Sequence, residues 1–85
     1  MEKHLEYTTI GTCSKMIDVT VDGDTIRNVE FAGGCMGNTL GIGALVRGMN
    51  VDEAIARLEG IDCRGRGTSC PDQLACALRE IKRMQ

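Results

Sequence analysis

The sequence predicts an α+β domain, a small antiparallel sheet followed by three helices. Three observations lead there. Apolar residues alternate on both sides of Asp22-Gly23-Asp24, capping signals stand before positions 51 and 70, and 85 residues allow one domain with one modest core. A large catalytic barrel or a doubly wound nucleotide-binding sheet does not fit in that length.

The elements follow in order. Residues 1–7 read as a frayed end, and residues 8–11 as a short third strand beside the hairpin. The hairpin covers about residues 16–31. Ile17, Val19 and Val21 share one face, Gly23 supplies the turn, and Val29 and Phe31 return in register. Ile26 falls on the opposite parity, which predicts a bulge or an early strand start.

Residues 36–47 form the first expected helix, with Leu40, Ala44 and Met36 on its buried stripe and Leu45 and Val46 beside it. Glycines at 37, 41 and 43 each cost about 1 kcal/mol relative to alanine inside a helix. The reason offered for them is a face where another backbone lies directly on the helix. Asn50-Val51-Asp52-Glu53 reads as a capping box opening a helix over 51–59, with Val51, Ile55 and Leu58 inward and Gly60 as the stop. The last helix spans 70–83. Ser69 and Thr68 are cap residues, Pro71 suits the first turn, and Leu74, Ala77, Leu78 and Ile81 form its stripe. Cys76 lies about 160° from the centre of that stripe, so it is expected exposed, or buried only against another chain.

Composition narrows the function. Ten basic against twelve acidic residues argue against generic nucleic-acid binding. No apolar run reaches the roughly 18–20 residues that span a bilayer. The opening Met1-Glu2-Lys3-His4-Leu5-Glu6 lacks a secretory apolar segment, so a cytoplasmic, thiol-reducing setting is expected. The single Phe and Tyr and the absence of Trp leave a thin core, which makes self-association a natural expectation.

Five cysteines, at 13, 35, 63, 70 and 76, are the strongest compositional feature, and their odd number prevents complete internal pairing. Small buried thiols filling an aromatic-poor core are the simplest reading. The sharper reading starts from Cys35 and Cys70, each at the start of an expected helix, where partial positive charge favours the reactive thiolate. Cys35 and Cys70 are therefore the redox candidates. Cys13, Cys35, Cys63 and Cys70 together suit zinc or an iron–sulfur cluster. A separate anion or nucleotide site is drawn from Arg64, Arg66, Thr68 and Ser69, which combine positive charge, hydroxyls, Gly-rich backbone and a helix start. A solvated, capped loop is the alternative there. His4, the single histidine, is expected to be solvated, and Asp72 is read as an acid of a first helical turn.

At Thr68-Ser69-Cys70-Pro71-Asp72 the chain resembles the TSCPD-domain family. The resemblance runs from about Tyr7 onward, through Gly11-Thr12-Cys13-Ser14, Phe31-Ala32-Gly33-Gly34-Cys35-Met36-Gly37-Asn38 and Leu58-Glu59-Gly60-Ile61-Asp62-Cys63. It implies a single domain over 1–85 related to the C-terminal domain of B12-dependent and related ribonucleotide reductases. An accessory role in deoxynucleotide synthesis follows, with a reductase or a nucleotide as partner. It also implies that Cys13, Cys35, Cys63 and Cys70 carry the family's cysteines, with Cys76 outside its motifs. Reductase activity itself is not expected, because that chemistry needs a radical-bearing barrel. Phe31-Ala32-Gly33-Gly34-Cys35 is also similar to a segment of U-type iron–sulfur scaffold proteins.

Overall fold

The computed structural model describes residues 2–9, 14–33, 36–61, 65 and 67–84. Three strands, β1 (Glu2–Thr8), β2 (Ser14–Asp22) and β3 (Thr25–Gly33), form one antiparallel sheet in the order β1-β2-β3. Three helices follow: α1 (Met36–Val46), α2 (Val51–Leu58) and α3 (Cys70–Arg83). The α+β architecture is as the sequence predicts.

The third strand exists, but it occupies Glu2–Thr8, and the stretch expected to fray is paired from Glu2 onward. Glu2 lies opposite Asp22 and Thr8 opposite Met16. Alternation explains the pairing: Leu5 and Tyr7 turn inward against the core, while Glu2, His4 and Glu6 face solvent. Residues 10 and 11 lie outside the described residues.

The bulge expected around Ile26 is present. Thr20 pairs with Asn28 and Val21 with Ile26, which leaves Arg27 as the extra residue. That one insertion brings Ile26 onto the face of Val29, and both are buried beside Ile17, Val19 and Val21. The opposite face of the sheet is open and acidic. Glu6, Asp18 and Glu30 stand side by side across the three strands. His4 Nε2 lies 2.6 Å from Asp18 Oδ1 on this face.

α3 completes the core with Leu74, Ala77, Leu78 and Ile81, all fully buried. α2 lies antiparallel to it. Lys82 pairs with Asp52 at one end, and the Gly60 amide meets Asp72 at the other. The cap of α2 is half of the expected box: Asn50 Oδ1 accepts from the Glu53 amide at 3.2 Å, whereas the Glu53 carboxylate turns to Arg57. Val51 and Ala54 are its buried residues, with Ile55 and Leu58 half-buried. Between α1 and α2 the chain pairs with the edge of β3. Gly48 N–H reaches Ile26 O at 2.8 Å, and Ile26 N–H reaches Met49 O at 2.9 Å. This cover removes part of an otherwise open sheet edge.

α1 departs from its expected orientation. Its buried positions are Thr39, Gly43 and Val46, with Ile42 half-buried, whereas Leu40, Ala44 and Leu45 are exposed. The helix carries apolar or small residues on nearly every side, so periodicity does not select a face. Close approach does. A Cβ on Gly43 would lie 2.9 Å from the Val29 carbonyl oxygen, so only glycine lets the helix settle here. The packing reason offered for three glycines therefore applies to Gly43, since an added Cβ on Gly37 or Gly41 would meet nothing within 4 Å.

Candidate functional site

The Thr68–Asp72 segment is built around the start of α3. Ser69 is the N-cap in extended backbone, and its Oγ accepts from the Asp72 amide at 3.1 Å. Pro71 occupies the first turn, where its missing N–H leaves no bond unmade. Asp72 then does more than complement the helix dipole. Its Oδ1 accepts from the Gly60 amide at 2.7 Å and its Oδ2 from the Thr68 hydroxyl at 2.6 Å. Thr68 Oγ1 in turn accepts from Gln73 Nε2 at 2.9 Å. One carboxylate thus ties the end of α2 to the start of α3. Sequence reading missed the Gly60 and Gln73 links. The first spans twelve residues and has no local signature, while the second follows from a buried amide needing a partner.

Of the four cysteines expected to ligate or react, Cys70 is described: it is the first residue of α3 and half-exposed. Cys13, Cys35 and Cys63 lie outside the described residues, as do Arg64 and Arg66 of the expected anion site. The hydroxyls of Thr68 and Ser69, the other members of that site, are the ones engaged in the cap network. The Asp72 carboxylate already stands at this helix start, where positive backbone charge favours an anion. Among the described residues, no group of three or more His, Cys, Asp or Glu side chains is placed to hold a metal ion.

The element ends sort into two sets. β1 ends, β2 begins and β3 ends at the same end of the sheet, where Thr8 faces Met16 and Ser14 faces Gly33. α1 begins there, three residues beyond β3. α2 ends and α3 begins there too, joined by the Gly60–Asp72 bond, while the hairpin turn and the Lys82–Asp52 pair mark the other end.

Cys76 lies further along α3, against β1. It is half-buried, and its thiol meets the Tyr7 hydroxyl of β1. The expectation that it faces solvent or another chain fails because β1, read as frayed, covers this side of α3. Burial pushes the Cys76 thiol up, the Asp72 carboxylate adds to the rise, and the Tyr7 hydrogen bond works the other way. Burial and the neighbouring thiol likewise raise Tyr7, helped by Glu80 and Asp72. A thiol held protonated in this way is a poor nucleophile.

Fold and site together define a small α+β domain with helices packed on one face of a three-stranded sheet, and with a capped Ser-Cys-Pro-Asp helix start at the end where most elements meet. The TSCPD domain family matches residues 2–82, nearly the whole chain, and the protein belongs to that family. No curated protein and no solved structure matches it. No helix among the described residues is long and apolar enough to cross a membrane.

Proposed function

We propose that this protein is a thiol-rich accessory module of deoxynucleotide synthesis that holds zinc or an iron–sulfur cluster through Cys13, Cys35, Cys63 and Cys70. The observation that carries the metal reading is topological. Cys70 begins α3, and Ser14, Gly33 and Met36, described residues flanking Cys13 and Cys35, are element ends at one end of the sheet, while Ile61, two residues before Cys63, follows the end of α2 that Gly60 ties to α3. Four thiols match the tetrahedral sulfur set that zinc and iron–sulfur clusters prefer. The accessory role is supported by membership of the TSCPD family. A nucleotide would use Arg64 and Arg66, which precede the same helix start in the sequence. Asp72 already supplies a carboxylate there, so the metal reading stands ahead of it.

The test is anaerobic purification followed by zinc, iron and sulfide analysis, with cysteine-resolved alkylation. Stoichiometric metal is expected, with four thiols protected until a chelator is added. Metal-free protein whose Cys70 alkylates fast would replace metal binding with thiol redox relay. Metal-free protein with five slow thiols would leave the domain with a structural role. The accessory role is tested separately, by whether adding the chain changes the turnover of a ribonucleotide reductase.

A further inference from the structure

α1 leaves two large apolar side chains in solvent. Eleven residues, Met36–Val46, contain no charged side chain, and Leu40 and Leu45 are 67% and 77% exposed. A helix without a charged side is ordinarily buried on most sides, yet among the described residues this one packs inward along Thr39, Gly43 and Val46, with Ile42 half-buried, and leaves Leu40, Ala44 and Leu45 exposed. Beside it, between α1 and β3, lies an open groove of about 540 Å³ lined by Phe31, Leu40 and Ala44 among others. Two charges of opposite sign also line it. Glu30 and Arg47 are linked through Asn28, whose Oδ1 accepts from Arg47 Nη2 at 3.0 Å and whose Nδ2 donates to Glu30 Oε1 at 3.5 Å.

We propose that this face binds a second copy of the same chain, forming a two-fold dimer in which the leucines of each α1 enter the groove of the other. The patch is complementary to itself. It presents protruding apolar side chains beside an apolar hollow, which a two-fold axis brings into register. Its rim charges agree with the same choice. An axis running between Glu30 and Arg47 sets the arginine of one copy against the glutamate of the other, so the rim attracts where a uniformly charged rim would repel. The proposal does not rest on the metal reading, because none of the residues it uses is a cysteine.

Sedimentation velocity of the full chain over a concentration series tests it. A reversible dimer is expected. Leu45→Glu, at an exposed position, should weaken it by roughly tenfold or more, with an unchanged circular dichroism spectrum; Leu45→Ser serves as a second variant should the first unfold. Arg47→Glu and Glu30→Arg should each weaken the dimer alone, and the double reversal should restore it. A chain that stays monomeric throughout the series, including one whose α1 face instead captures a different protein, overturns the proposal. So does a dimer indifferent to these variants. A dimer that dissociates only with chelator would overturn it while leaving the cysteine reading intact.

Discussion

α3 and α1 pack against the same sheet and use their side chains in opposite ways. α3 separates its two sides. Leu74, Leu78 and Ile81 are wholly buried, while Glu80, Lys82 and Arg83 face solvent. α1 has no such division. It meets β3 through a glycine and leaves two leucines outside. The contrast shows two sources of docking order: α3 is positioned by which residues must leave water, α1 by how closely a backbone can approach.

The contrast breaks first where burial is deepest. Leu78→Ala should cost about 2–5 kcal/mol, the range for emptying a core leucine site, whereas Leu45→Ala in dilute protein should stay within about 0.5 kcal/mol. Urea denaturation of both variants measures the difference, and equal losses would erase the distinction. The comparison sharpens inside α1 itself. Gly43→Ala should destabilise by roughly 1–3 kcal/mol, because its Cβ meets the Val29 carbonyl and the helix must shift. Gly41→Ala fills open space in a helix interior and should stabilise by roughly 0.5–1 kcal/mol. Opposite signs from two glycines two residues apart are the expected result of thermal melts.

The smallest effect is a pH dependence on the α3 side. The folded protein holds Cys76 above its ordinary value of 9.0 and Tyr7 above 10.0. Both groups therefore bind protons more tightly folded than unfolded. Their contribution is complete below pH 9 and is lost as pH rises through the folded values. Melting temperature should fall more steeply above pH 9 in the wild type than in a Tyr7→Phe, Cys76→Ala double variant. Equal slopes would mean the pair does not couple to folding.

Much of this was legible residue by residue. The hairpin, the bulge at Ile26 and the caps at Asn50 and Ser69 rest on local chemistry that acts within a few positions, and local chemistry is what a sequence displays. Two misreadings share another cause. Treating the first seven residues as frayed removed the strand that covers Cys76, so one missed pairing displaced two expectations. The stripe drawn through Leu40 and Ala44 failed because an apolar helix with no polar side has no preferred direction to read. The roles of Thr68 and Asp72 were half legible: the cap is local, but the bond to Gly60 depends on α2 folding back along α3.

The sequence by itself determined the class of fold, the order of elements and the family, because alternation, capping residues and the Thr-Ser-Cys-Pro-Asp segment are properties of neighbours along the chain. Tertiary structure decided which face of α1 is buried, that Cys76 answers to Tyr7, and that the Asp72 carboxylate at the start of α3 binds the Gly60 amide beyond α2. Those outcomes depend on the closeness of backbones and on contacts between residues far apart in the chain, where no periodicity records them.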